Sequence, residues 1–219
     1  MNTLTIENLT HTYRDGQKDV TVLKGVNGQF EEGKIYAIVG ESGSGKTTLI
    51  SLISALDKIQ SGDIKFNSES INKIKPSKFR LKKVSIVFQS YNLIKYMTAR
   101  ENVEIALDFN GKSKKEKERA YSILENVGIT RDEADRLVQK LSGGQQQRVA
   151  IARAIASDAP IIVADEPTGN LDEQTEENIL NIFENISKQG KIVILVTHSK
   201  KVAQIANAQI CKMKDGVLV

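Results

Sequence analysis

The chain carries a single cysteine, Cys211, among 219 residues. One thiol excludes an internal disulfide and fits a reducing compartment. Its plainer reading is a small apolar filler in a strand. Long hydrophobic runs are also missing: no stretch approaches the roughly 18 apolar residues that a membrane span requires. The first residues, Met1-Asn2-Thr3-Leu4-Thr5, lack a basic region followed by an apolar stretch, so no secretory signal is visible and a cytoplasmic location is expected. There is no internal repeat, low-complexity tract or linker-like segment.

What is present is ordinary in bulk. A hydrophobic content of 40% can form a substantial core, and 26% charged residues is usual for a soluble protein. The net charge of +4 would suit nucleic acid or an anionic surface. Much of the excess, however, lies in Lys112, Lys114, Lys115, Lys117 and Arg119, interleaved with Glu116 and Glu118. Ala120, Ile123, Leu124 and Val127 follow at helical spacing, so these charges read as the wet face of an amphipathic helix.

The first thirty-odd residues read as strands, with Leu4, Ile6 and Leu9 apolar, a turn at Asp15-Gly16 and β-branched character at residues 20–23. Residues 35–39 form a short buried strand that runs into a glycine-rich loop, with a helix expected over 47–55. Strand signals recur at 84–88, 161–164 and 191–197, ending in Gln89, in Asp165-Glu166 and in His198. Residues 95–158 look helical, broken at Asn110-Gly111 and near Gly128, and Pro160 closes them. Ile179, Ile182, Phe183 and Ile186 mark a helix with one packed face. Residues 208–219 suggest a hairpin turning at Asp215-Gly216. Buried strands ending in polar residues describe an α/β sheet, whose ligands bind beyond the carboxyl ends of the strands.

Gly40-Glu41-Ser42-Gly43-Ser44-Gly45-Lys46-Thr47 matches G-x-x-x-x-G-K-[ST] between a strand and a helix. Glycines there let backbone N–H groups curl around phosphates, Lys46 reaches the outer phosphates, and the Thr47 hydroxyl can ligate magnesium. Beside such a loop, Asp165 can hold magnesium and Glu166 can act as general base. Leu141-Ser142-Gly143-Gly144-Gln145 supplies a second candidate anion site, opening into a helix-like run at 146–157. Gln89 and His198 are weak signals alone, and Tyr13 is either a strand aromatic or an adenine platform.

In this order the phosphate loop, Gln89, residues 141–145, residues 161–166, Asn170-Leu171-Asp172 and His198 resemble an ABC-transporter ATP-binding subunit across essentially the whole chain. The finer resemblance is to the MacB/LolD/FtsE-like group, which includes bacitracin-type peptide exporters. It rests on residues 40–46, Phe88-Gln89-Ser90-Tyr91-Asn92-Leu93, Thr98 with Glu101-Asn102-Val103, Gln145-Gln146-Gln147-Arg148, and residues 164–172. Ser199 departs from the acidic residue common after the histidine, and the end at Val219 implies no regulatory C-terminal domain.

The resemblance implies a P-loop NTPase fold of the ABC ATPase type. Its RecA-like core would span about 1–90 and 159–219, with an N-terminal antiparallel β subdomain and a helical signature subdomain over about 91–158. It implies ATP and Mg2+ as cofactors. Tyr13 would stack on adenine, and Gly40, Glu41, Ser42, Gly43, Ser44, Gly45, Lys46, Thr47 and Thr48 would form the phosphate loop. Gln89 would lie near magnesium and the transmembrane partner. Ser142, Gly143, Gly144 and Gln145 would be the signature, Thr47, Gln89 and Asp165 the magnesium residues, and Glu166 the base. Asp172 would belong to the D-loop, and His198 would sense the γ-phosphate. The expected assembly is a head-to-tail homodimer driving a separate permease from the inner face of the membrane, with no nucleic acid involved. Two alternatives stand beside it: a force-transmitting ATPase without transport, and a soluble ABC ATPase acting on DNA or the ribosome.

Overall fold

The structure is a computed structural model that describes residues 1–16, 18–109, 116–169, 171–198, 201, 202, 205 and 208–219. The expected break at Asn110-Gly111, together with Lys112, Lys114, Lys115, Asn170 and Ser199, lies outside the described residues.

Strands β1 (Thr3–Asp15) and β2 (Lys18–Glu31) form an antiparallel hairpin in which Asp15 pairs with Lys18 and the turn opens at Gly16. Its buried face explains the odd spacing of the apolar residues. Leu4 and Ile6 alternate inward, then the register shifts around Asn8, at φ 46°, and Leu9 takes the inward position. A bulge adds one residue and so flips the phase of a two-residue repeat.

After β3 (Ile35–Val39) and α1 (Lys46–Ile53), strand β4 (Ser61–Phe66) pairs with the other edge of β1. The two-residue β5 (Glu69–Ser70) completes a four-stranded sheet in the order β2-β1-β4-β5. These later strands, and α2 (Pro76–Lys82), which starts with proline in its first turn, carry no clear pattern in the sequence.

The second sheet holds β3, β6 (Val84–Val87), β7 (Ile161–Asp165), β8 (Ile192–Val196), β9 (Ala208–Lys214) and β10 (Val217–Leu218), in the order β10-β9-β3-β8-β7-β6. All its pairings are parallel except the closing β9–β10 hairpin. The continuous apolar runs are sorted by parity. Ile35, Ala37, Ile162, Ala164, Val193 and Leu195 enter one core, while Tyr36, Ile38, Ile161, Val163, Ile192 and Ile194 enter the other. A parallel sheet covered on both faces requires such runs. One face is covered by α1 and the antiparallel sheet. The other is covered by α3 (Ala99–Asp108), α4 (Glu116–Asn126), the short α5 (Arg131–Ala134), α6 (Gly143–Ala156) and α7 (Glu173–Lys188).

The result is a mixed α/β fold with an antiparallel β subdomain and a helical insert between β6 and β7. Among the described residues no helix is long and apolar enough to cross a membrane. The helix expected from residue 146 begins instead at Gly143. Ser142 Oγ accepts from the Gln145 N–H at 3.3 Å, and Gln145 Oε1 accepts from the Ser142 N–H at 2.8 Å. This reciprocal cap satisfies two end groups and outweighs the poor helix propensity of two glycines.

Candidate functional site

The glycine-rich loop leaves β3 and enters α1 through Gly45, at φ 107°, with no side chain capping the helix. Uncapped first-turn N–H groups are the usual seat of a phosphate. The loop is pressed between neighbours. A Cβ on Gly40 would fall 2.2 Å from the Met213 carbonyl oxygen, and one on Gly45 would fall 2.8 Å from Leu23 Cδ2. Lys46 is buried, and its Nζ donates to the carbonyls of Gly40 at 2.7 Å and Glu41 at 2.8 Å. The C-terminal hairpin braces the loop: the Gly216 N–H donates to Ser44 O at 3.2 Å, and Gly216 O accepts from the Lys24 N–H at 2.9 Å.

A cavity of about 370 Å³ opens between the loop and the carboxyl ends of the neighbouring strands. Lys46, Thr47, Gln89, Asp165, Glu166 and His198 all line it. Asp165 is the last residue of β7, and its carboxyl is pushed up by burial and then by the charge of Glu166, against the pull of Lys46. Glu166 turns through a left-handed conformation, φ 46°, while its N–H still donates to Val196 O at 2.8 Å. Both of its carboxylate oxygens meet His198: Oε1 lies 3.1 Å from Nε2, and Oε2 accepts the His198 N–H at 3.2 Å. A non-glycine residue at such φ stores strain on the order of 1–3 kcal/mol, and functional turns are where it persists. Gln89 follows β6 on the exposed side, and a Cβ on Gly169 would fall 3.2 Å from its Nε2.

Three sequence-predicted groups stand elsewhere. Ser142, Gly143, Gly144 and Gln145 form the start of α6, with Ser142 and Gly143 exposed, and none of them lines the cavity. Gln145 Nε2 donates to Glu133 Oε1 at 2.6 Å. Tyr13, 41% exposed, sits opposite Val20 on the hairpin, edge-on to His11 with ring centroids 4.6 Å apart, and is not a lining residue. Asp172 caps α7, accepting from the Thr175 N–H at 3.0 Å and the Thr175 hydroxyl at 2.7 Å, and these bonds hold its carboxyl below the usual range.

Four residues escaped the sequence reading, one of them Val196, which lines the cavity from the end of β8. Val22 lines the cavity from β2; its only signal was a place two residues along the strand from Val20, the cross-strand partner of Tyr13. Arg153 on α6 donates to the carbonyls of Asn92 at 2.6 Å and Tyr91 at 3.1 Å, both residues being left-handed. Burial lowers its pKa, and no sequence signal pointed to it. Thr175, hidden in an acidic run, is tied to Asp172 as described.

The chain is similar in sequence and in fold to known proteins. The family profile described as ABC transporter matches residues 23–169. The ABC transporter ATP-binding protein YclH of Bacillus subtilis is 43% identical over 212 residues, covering 96% of this chain and 93% of its own length. The macrolide export ATP-binding/permease protein MacB of Mannheimia succiniciproducens is 40% identical over 223 residues. That match takes in 100% of this chain but 34% of MacB, so the chain spans about a third of that relative. Among solved structures, the dimeric ABC transporter cassette MJ0796 of Methanocaldococcus jannaschii superposes with a TM-score of 0.90 at 38% identity, covering 98% of this chain and 96% of its own. A dimeric post-hydrolysis state of the same ATP-binding cassette, bound to ADP and Pi, matches equally well.

Proposed function

The chain belongs to the ABC transporter family as an ATP-hydrolysing cassette, and from that premise we propose that two copies close head to tail on ATP and drive a separate permease. The work done would be export or extrusion of a peptide, lipoprotein or drug. One observation carries this reading: the phosphate cavity gathers Lys46, Asp165, Glu166 and His198, yet the Ser142 end of α6 lies exposed and away from it. A second copy would bring that end over the nucleotide. The dimeric MJ0796 cassette and the fusion implied by the name of MacB support the assembly.

Each residue's role follows from its place. Phosphates would exchange for the carbonyls that now accept from Lys46 Nζ, with first-turn N–H groups of α1 as further donors. Among the described residues no three His, Cys, Asp or Glu groups converge as a metal cage. A divalent ion here would therefore rest on few protein ligands plus substrate oxygens, the habit of Mg2+. Thr47 and Asp165 would hold it, with Gln89 beside them, and the raised Asp165 carboxyl fits, since a cation would relieve its burial and its repulsion from Glu166. When bound, the ion neutralises phosphate charge. Glu166 would take the proton of water as the water's oxygen bonds the γ-phosphorus and the bond to ADP breaks, while His198 orients its carboxylate. Tyr13 would stack on adenine.

The core would comprise about 1–90 and 159–219, and the helical subdomain about 91–158. A groove of about 510 Å³, formed by residues 90–93 and 95 with Val138, Gln139 and Gln146, would receive a cytoplasmic helix of the permease, placing the protein on the inner face of the membrane.

Glu166→Gln tests the reading. Turnover should fall by about 10²–10⁴-fold, the span of a general base, while ATP binding persists and the protein elutes as a dimer with ATP. Full turnover in that variant would overturn the assignment of Glu166.

A further inference from the structure

The start of α6 is clamped by its own chain. A Cβ on Gly144 would lie 2.6 Å from Thr175 Cγ2, a separation that real Cβ contacts do not reach. Thr175 cannot readily turn aside. It is β-branched and stands in the first turn of α7, where χ1 is stiff. Its N–H donates to Asp172 Oδ1 at 3.0 Å and its Oγ1 to Asp172 Oδ2 at 2.7 Å, so the rotamer that aims Cγ2 at Gly144 is the one that lets the hydroxyl bond the capping carboxylate. Rotating the methyl away would break the hydroxyl bond.

Gly143 is a different case. A Cβ there would meet the Tyr91 hydroxyl at 3.1 Å, the far end of a long side chain that can yield. Of the two glycines, only Gly144 faces a fixed neighbour.

We propose that Thr175 is a positioning residue that seats Gly144 against the Asp172 cap, so that Ser142 and Asp172 keep one fixed spacing when a second copy approaches. The inference rests on the dimer reading above. It assigns the need for glycine at 144 to packing within the chain, where the nucleotide of the partner would otherwise account for it. Adding a methyl group at 144 pushes α6 away from α7 and displaces Ser142. Removing the methyl at 175 restores the space and keeps the hydroxyl.

The test is a double-variant cycle in Glu166→Gln protein, which isolates the pairwise effect of two touching residues. Gly144→Ala should weaken ATP-driven dimerisation about tenfold, the scale of overpacking in a rigid site. Gly144→Ala with Thr175→Ser should return to the level of Thr175→Ser alone. Thr175→Val, which keeps the bulk and loses the hydroxyl bond to Asp172, should not rescue Gly144→Ala. Thr175→Ser should likewise leave a Gly143→Ala defect unchanged. A double variant as weak as Gly144→Ala overturns the proposal. So does rescue of melting temperature without rescue of dimerisation, since packing alone would then explain the pair. If Glu166→Gln protein forms no dimer with ATP, the functional reading fails separately. Reciprocal rescue of nucleotide-free melting then decides whether Thr175 seats Gly144.

Discussion

At Asp165 the demands of folding and of chemistry pull in opposite directions. Its carboxyl is raised by burial and by Glu166, so the folded chain binds that proton more tightly than the unfolded one. The stabilisation this brings is complete below the ordinary aspartate value of 3.8 and is lost as pH rises through the folded value. Asp165→Asn should therefore raise the melting temperature of the nucleotide-free protein at neutral pH, with the gain shrinking toward pH 4. Thermal unfolding across that range is the check, and a gain independent of pH would refute burial as the cause. The same variant should lose magnesium-dependent ATP binding. Lys46 carries a second expectation. Its amine is already desolvated and aimed along the loop, and a charge-assisted bond contributes roughly 1.5–3 kcal/mol. Lys46→Ala should weaken nucleotide binding on the order of ten- to a hundredfold per bond lost, measurable by titration with a fluorescent ATP analogue.

Among the elements, β3, β7 and β8 were legible because strands buried on both faces must be apolar at every position. The loop between β3 and α1 was legible because phosphate chemistry restricts which residues can stand there. β4 was not, since Ser61-Gly62-Asp63-Ile64-Lys65-Phe66 buries only Ile64 and Phe66 and looks like a turn. The start of α6 was misplaced by three residues because propensity counts against glycine while the Ser142–Gln145 cap acts over a longer range. Contacts between distant segments left no local trace. Arg153 is one: from α6 it holds the left-handed carbonyls of Tyr91 and Asn92 in the segment after Gln89. Arg153→Ala should free that segment, with amide exchange at Tyr91 and Asn92 rising about tenfold or more by hydrogen–deuterium exchange. Unchanged exchange there would mean that the loop holds its own shape.

For the whole molecule, Lys46, Thr47, Gln89, Asp165, Glu166 and His198, which line one cavity, were legible in the sequence as single residues, but their grouping was not. The sequence offered two anion sites, and the fold separates them, with one in the cavity and one at an exposed helix end. If two copies complete each site, activity per subunit should rise with protein concentration and then level off. Steady-state ATPase assays over a dilution series would show it, and a flat profile would indicate a self-sufficient monomer. The brace of the phosphate loop has a further consequence, in the timing of synthesis. Gly40 lies against the Met213 carbonyl, and Gly216 bonds both Ser44 and Lys24. A chain emerging from the ribosome thus presents its nucleotide motif early, while the Met213 and Gly216 contacts that brace it come only with the hairpin near residue 216. Until then the loop has Leu23 against one side but lacks the brace of Met213 and Gly216, so tight ATP binding is expected only once residue 216 is out.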